Sequence, residues 1–210
     1  MIQAVLWDFG GVVLTSPFES FARYERSIGL PEGTIRGLNA TNPDSNAWAK
    51  LERTEVDVAT FCTLFEQEAL AAGHTLSGQA VIGCLSGDVR PQMVRAQQRI
   101  KEAGIRQALL TNNFASGQPE VRAPRADVQA AMTVYDVVIE SSKAGVRKPD
   151  PAAYQLVLDA LALPASSIVF LDDLGINLKP AKALGMTTIK VVDPDTALAE
   201  LSEILGLDLT

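Results

Sequence analysis

Cysteine and histidine, on which many metal sites and catalytic triads depend, are almost absent from this sequence. Cys62 and Cys84 are the only cysteines, and their wide separation matches neither a disulfide framework nor a zinc site. We interpret both as buried thiols in a reducing cytoplasm. His74 is the only histidine, and no G-x-S-x-G sequence is present. The sequence therefore gives no indication of a serine hydrolase triad.

Other classes of protein are disfavoured by further absences. Lys and Arg total 18 against 25 Asp and Glu, a formal net charge of −7, so there is no basic excess for nucleic acid. No apolar run approaches the roughly 18 residues that span a bilayer, and the first residues lack the basic region of a signal peptide. The nucleotide-binding sequences G-x-G-x-x-G and G-x-x-x-x-G-K-[ST] are missing. We predict a cytoplasmic protein that binds neither nucleic acid nor a membrane.

The length of the chain and its apolar runs predict the fold. With 210 residues, of which 47% are hydrophobic, the chain can bury one solid core and a small additional unit. Short apolar runs that end at polar residues predict buried strands, and the amphipathic stretches between them predict helices. The runs cover residues 2–7, 107–110, 137–140, 168–171 and 188–192. This alternation predicts an α/β fold, a three-layer Rossmann-like parallel sheet with helices on both faces.

One stretch, residues 16–85, breaks the alternation of strands and helices. It contains four amphipathic patterns with helical spacing, over residues 18–28, 32–38, 46–52 and 56–72, and no convincing strand. We therefore predict a core formed by residues 1–15 and 86–210, with a small helical unit inserted after the first strand.

Polar side chains follow the predicted strands at their carboxyl ends, where parallel sheets bind ligands. They are Asp8, Thr111, Asn112, Asp172 and Asp173. Taken singly, most are explained equally well by a turn or a helix cap. The adjacent pair Asp172 and Asp173 is different, because neighbouring carboxylates at the end of a buried strand repel each other and a helix cap needs only one of them. A site with only oxygen ligands favours Mg²⁺.

Two glycines and a lysine complete the candidate site. Gly10 and Gly11 follow Asp8 and would let backbone groups approach an anion, while Asp8 could serve as a carboxylate nucleophile. Lys148 precedes a proline that favours an extended backbone, so it could be a fixed cation that balances a carboxylate and a phosphate. The neighbouring Arg147 could be a second cation, but we interpret it as a surface residue.

Four segments, in this order, resemble the haloacid dehalogenase superfamily of hydrolases. They are WDFGGVV with Asp8, LLTNNF with Thr111, GVRKPDP with Lys148, and VFLDDLGINLKPAKALGM with Asp172 and Asp173. The segments span almost the whole chain, and the helical insertion falls where that family carries its small cap. The amino-acid sequences of the second and fourth segments most resemble the subgroup that contains the N-terminal phosphatase domain of soluble epoxide hydrolases.

The resemblance implies a Mg²⁺-dependent phosphatase that acts on a small phosphorylated metabolite. In this pattern Asp8 attacks a phosphate monoester and forms an aspartyl-phosphate, which water then cleaves. Mg²⁺ is expected between Asp8, the Gly10 carbonyl and one or both of Asp172 and Asp173, with Asp173 as the preferred direct ligand. The implied phosphate ligands are Gly11, Thr111, Asn112 and Lys148.

One position departs from the family pattern. Phosphatases of this family usually carry a second Asp, two residues after the nucleophile, as general acid and base, and this chain has Gly10 there. General acid–base catalysis contributes typically about 10²–10⁴-fold to a rate. With Gly10, activity could be low, the leaving group could need little help, a water or a residue of the helical insertion could substitute, or catalysis could be lost. Two alternatives to the phosphatase stay open: a metal-independent dehalogenase in which Asp8 displaces halide from carbon, and a binding or regulatory protein that has lost the chemistry, which Gly10 favours. The sequence also leaves open a homodimer.

Overall fold

The structure, a computed structural model, describes residues 1–85, 87–113 and 125–209. Within these ranges five strands form one parallel sheet with the order β3-β2-β1-β4-β5. The strands are β1 (Ala4–Trp7), β2 (Arg106–Thr111), β3 (Val137–Glu140), β4 (Ile168–Asp172) and β5 (Thr187–Lys190). Hydrophobic clusters cover both faces of the sheet. The predicted α/β fold with a parallel sheet is confirmed.

Helices connect the strands, and those that follow residue 90 pack against the sheet. They are α1 (Pro17–Ser27), α2 (Thr34–Ala40), α3 (Ala47–Glu52), α4 (Val58–Ala71), α5 (Gly78–Gly83), α6 (Pro91–Glu102), α7 (Ala126–Met132), α8 (Ser141–Ala144), α9 (Pro151–Leu161), α10 (Gly175–Ala183) and α11 (Pro194–Leu205). Helices α5, α7 and α8 were not predicted from the sequence. None of the helices in the described ranges has the length and apolarity needed to cross a membrane.

Alternate residues of the central strands pack into different clusters. Leu6 lies between Ala108 and Phe170 in the sheet and packs on one face, whereas Trp7 packs on the other. Because both faces are covered, the central strands are apolar at nearly every position, and this is why they were visible as continuous apolar runs. The common register brings the carboxyl ends of β1, β2 and β4 to one edge of the sheet.

Helices α1 to α5 follow β1 and enclose a hydrophobic cluster of their own. At its centre the ring of Trp48 packs edge-on against Phe21 and Phe61, with ring centroids 6.2 and 5.3 Å apart. The chain passes between this helical segment and the sheet region at two points, which are joined by an antiparallel bridge between Leu14 and Val89. The predicted boundaries at residues 16 and 85 lie just outside α1 and α5.

The packing of α5 against α4 allows a test of the helical segment. A Cβ added at Gly78 would lie 2.5 Å from the Cα of Cys62, too close to be relieved by a side-chain movement. We expect Gly78→Ala to lower the free energy of unfolding by about 1–3 kcal/mol in urea denaturation, because the two helices must separate. Gly83→Ala in the same helix is the matched control: a Cβ there meets nothing within 4 Å, so no loss is expected. Equal stability of the two variants would contradict this packing.

Candidate active site

The acidic side chains that follow β1 and β4 meet at the carboxyl edge of the sheet. Asp8, Asp172 and Asp173 each offer a carboxylate oxygen, and these oxygens all lie within 4.8 Å of one another. The Nζ of Lys148 lies 2.8 Å from Oδ1 of Asp8 and 2.7 Å from Oδ2 of Asp172. Residues separated by most of the chain are thus brought together, as expected from parallel strands that end at one edge.

Asp8 is held rigidly by the backbone around it. Its N–H donates to the carbonyl of Leu171 at 2.9 Å, and its Oδ1 accepts the N–H of Phe9 at 2.7 Å as well as the Lys148 contact. The residue is only 7% exposed. With Oδ1 engaged, Oδ2 is the oxygen that Asp8 can direct at an incoming group.

Gly10 and Gly11 differ in backbone conformation and in the space available for a side chain. Gly11 has a φ of 81°, and a Cβ there would lie 2.3 Å from Oδ2 of Asp173. Only glycine therefore lets Asp173 lie against this turn. Gly10 has φ −70° and ψ 128°, which any residue can adopt, and a Cβ there meets nothing within 4 Å. The structure would accept a side chain at position 10.

Lys148 is fully buried and is fixed through its main chain as well as its side chain. The Lys148 N–H donates to Oδ1 of Asn112 at 2.9 Å, and Nδ2 of Asn112 donates to the Lys148 carbonyl at 3.0 Å. Asn112 thus clamps the loop that carries the lysine, a role that the sequence did not indicate. One of its amide hydrogens is not used in this clamp. Thr111 is the last residue of β2 and is partly exposed at the same edge.

The two adjacent aspartates have different surroundings. Oδ1 of Asp172 accepts hydrogen bonds from the N–H of Leu174 and from Nδ2 of Asn177, at 2.8 and 3.0 Å. Its Oδ2 accepts from Lys148 and, at 3.1 Å, from Asn177. Asp172 is completely buried with both oxygens engaged, whereas Asp173 is partly exposed. Asp173 is therefore the member of the pair better placed to bind a cation.

Burial and mutual repulsion perturb the ionisation of this cluster. Burial raises the pKa of Asp8 well above its ordinary value, and the nearby Lys148 only partly opposes this. Burial, followed by the charge of Asp172, raises the pKa of Asp173 to about 6. Burial alone would lower the pKa of Lys148, but the Asp172 and Asp8 carboxylates outweigh it and the pKa is raised. Three carboxylates thus face one ammonium group.

The three carboxylates at this edge of the sheet have the chemistry needed to hold a divalent cation. The donors are carboxylate oxygens, which Mg²⁺ prefers, and ionisation of all three leaves two negative charges unbalanced by Lys148. Asp8 and Asp173 are the side chains best able to hold the ion, because Asp172 is occupied by Lys148 and Asn177.

The raised pKa of Asp173 predicts a measurable effect on stability. The folded protein holds the Asp173 proton more tightly than the unfolded protein, in which the carboxyl has its ordinary pKa of 3.8. The stability of the folded protein therefore falls as pH rises from about 4 through about 6. Without divalent metal at pH 7.5, we expect Asp173→Asn to raise the free energy of unfolding by on the order of 1–2 kcal/mol, allowing for partial exposure. The gain should vanish near pH 4. Urea denaturation in a chelator at both pH values measures it, and a gain that is independent of pH would contradict this explanation.

Arg147 is one residue for which the sequence interpretation was wrong. Its side chain is only 19% exposed, and its Nε lies 2.5 Å from Oε2 of Glu52 at the end of α3. Glu52 is itself buried. No local pattern indicates this pair, because the partners lie in different parts of the chain.

Comparisons with known proteins identify the family of this chain. Residues 2–185 match the family described as haloacid dehalogenase-like hydrolase. The chain is 35% identical over 212 residues to acyl-CoA dehydrogenase family member 10 of Mus musculus and 30% identical over 220 residues to bifunctional epoxide hydrolase 2 of Sus scrofa. Both alignments cover 99% of this chain, which spans only 19% and 40% of those proteins. It is 25% identical to sesquiterpene phosphatase astK of Aspergillus oryzae, over 97% of both proteins.

Solved structures share the fold at low sequence identity. A predicted HAD-like family hydrolase from Porphyromonas gingivalis matches with a TM-score of 0.70 at 19% identity, over 98% of both chains. A HAD family enzyme from Bacteroides thetaiotaomicron, in complex with magnesium and inorganic phosphate, matches with a TM-score of 0.60 at 18% identity, over 90% of this chain and 94% of that one. L-2-haloacid dehalogenase from Xanthobacter autotrophicus also matches with a TM-score of 0.60 at 18% identity, over 100% of this chain and 85% of that one.

Proposed function

This chain belongs to the haloacid dehalogenase-like hydrolases, and we propose that it is a Mg²⁺-dependent phosphatase of a small phosphorylated metabolite. The observation that carries the proposal is the placement of Asp8, which is fixed beside Lys148 with Asp173 within reach of the same cation. A phosphatase among the relatives and a structural neighbour solved with magnesium and phosphate support this choice.

In the proposed reaction, Asp8 forms a covalent intermediate. Its Oδ2 attacks phosphorus, the P–O bond to the leaving alcohol breaks, and an aspartyl-phosphate results. Water then attacks phosphorus, which releases inorganic phosphate and restores the Asp8 carboxylate. The alkoxide takes its proton from water, because position 10 carries no side chain. The overall reaction consumes one water molecule for each phosphate released.

The remaining residues would orient the phosphate and balance its charge. Lys148 stays protonated between its two carboxylates and can offset negative charge on Asp8 and on the transferred group. We propose Gly11, Thr111 and the second amide hydrogen of Asn112 as phosphate ligands. Mg²⁺, when bound, would supply the positive charge that the carboxylates leave unbalanced.

The helical segment of α1 to α5 is proposed to act as a cap that selects the substrate. Two of its charged residues lie near the catalytic edge. Burial raises the pKa of Asp173 and the charge of Arg36 on α2 partly opposes this shift, while Glu52 on α3 contacts Arg147, the residue before Lys148. A substrate bound at Asp8 would therefore have this segment as one wall of its site.

A dehalogenase is the second candidate, and Gly10 is the observation that favours it, because halide leaves carbon without a proton. The acidic cluster argues for the phosphatase, since displacement of halide by Asp8 needs no cation and a cluster of carboxylates would repel a carboxylate substrate.

Three assays on the purified protein separate the candidates. We expect phosphate release from p-nitrophenyl phosphate and from members of a phosphorylated metabolite panel that requires Mg²⁺ and stops when a chelator is added. Halide release from 2-chloropropionate without metal would favour the dehalogenase. If the protein binds Mg²⁺ but releases neither phosphate nor halide, the phosphatase proposal is overturned. A binding or regulatory protein would then be the remaining candidate.

A further inference from the structure

A buried ion pair joins the helical segment to the loop that carries Lys148. Arg147 directly precedes the lysine, and its Nε lies 2.5 Å from Oε2 of Glu52. Both side chains are largely withdrawn from water, with exposures of 19% and 10%. The contact therefore joins the helical segment to the catalytic edge at the residue next to Lys148.

On the helical side, the pair is anchored in the hydrophobic cluster. Oε1 of Glu52 accepts a hydrogen bond from Nε1 of Trp48 at 3.1 Å, and the Trp48 ring packs against Phe21 and Phe61. Movement of Glu52 would thus disturb the centre of the helical segment. Nη1 of Arg147 also donates to the carbonyl of Pro43 at 3.1 Å, a second contact from the same guanidinium to that segment.

On the sheet side, the pair is tied to the catalytic edge through one peptide bond. Asn112 holds the main chain of Lys148 at both its N–H and its carbonyl, so the backbone next to Arg147 has little freedom. The Lys148 ammonium is fixed in turn by Asp8 and Asp172. A buried ion pair seldom adds stability over an apolar pair of the same shape, so stability alone explains this contact poorly.

We infer that Arg147 and Glu52 are positioning residues, whose ion pair docks the helical segment over the Asp8–Lys148 edge and sets the distance between that segment and the edge. The inference rests on the proposed phosphatase function. Neither side chain is assigned a contact with substrate. Their effect is geometric, and a displacement of about 1 Å in a site of this kind can cost 10²-fold in rate.

The test uses the double variant Arg147→Met/Glu52→Gln, because either single change at Arg147 or Glu52 strands a buried charge and can unfold the protein. Gln at position 52 can still accept from Trp48. We expect an unfolding midpoint close to that of the wild type but a kcat on p-nitrophenyl phosphate about 10- to 100-fold lower. Thr54→Val is the matched control: it removes the exposed hydrogen bond to the Ser142 carbonyl, another link between the two parts, and should leave kcat unchanged.

Acrylamide quenching of tryptophan fluorescence gives a readout that does not depend on activity. Trp7 is fully buried in the core, so quenching reports on Trp48, and we expect it to increase in the double variant but not in Thr54→Val. A folded double variant with wild-type kcat overturns the inference, whatever its quenching. If the wild type releases no phosphate, the proposed function fails instead, and unchanged quenching would then reject the docking role separately.

Discussion

Asp8→Asn is expected to lower Mg²⁺-dependent phosphate release by about 10⁴-fold or more, since loss of a covalent nucleophile removes the whole pathway. An amide cannot form the acyl phosphate. The variant should fold, because it replaces a buried carboxylate whose pKa burial raises well above its ordinary value, and Lys148 keeps Asp172 as its partner. Initial rates on p-nitrophenyl phosphate, with urea denaturation of the same samples, measure both effects.

Asp193→Asn is the matched control for this experiment. Asp193 follows β5 at the same end of the sheet, but it only caps α11, where its Oδ1 accepts the N–H of Thr196 at 2.9 Å. Asparagine caps helices as well as aspartate does, so activity and stability should both stay at the wild-type level. Metal-dependent activity within tenfold of the wild type in Asp8→Asn would show that another group attacks phosphorus.

Gly10→Asp is expected to increase activity. A carboxyl group at position 10 could protonate the leaving oxygen, and general acid–base catalysis contributes typically about 10²–10⁴-fold. The backbone at Gly10 suits any residue and a Cβ there meets nothing within 4 Å, so neither the backbone nor the Cβ opposes the change. We expect a large gain in kcat/KM on alkyl phosphates and a small one on p-nitrophenyl phosphate, whose leaving group is a weak base that departs without a proton.

Two variants control for effects other than proton transfer. Gly10→Asn adds a side chain of the same size without the acid, and it should not increase the rate on alkyl phosphates. Gly11→Asp places the same carboxyl one residue later, where the positive φ and the Asp173 carboxylate leave no room, and it should lower both stability and Mg²⁺ affinity. If Gly10→Asp folds and binds Mg²⁺ but leaves the rate on alkyl phosphates unchanged, then position 10 does not face the leaving oxygen.

The sequence by itself determined the sheet and the residues that meet at its edge. Strands buried on both faces must be apolar at nearly every position, so β1 and β4 were visible without any partner. Because parallel strands end at one edge, the positions after them predicted that Asp8 would meet Asp172 and Asp173. The amphipathic period of α4 runs over several turns and predicted that helix, whereas α8 is a single turn that shows no period.

Only the tertiary structure decided how these side chains divide their roles. Asp172 and Asp173 are neighbours of the same type, yet the Asp172 carboxylate is buried and bonded to Lys148 and Asn177, whereas Asp173 is partly exposed. Asn112 clamps a backbone far along the chain, and Arg147 meets a buried glutamate instead of water. Periodicity reflects whether each position is buried, whereas the partner of a polar group depends on which distant side chains the packed elements bring within hydrogen-bond distance.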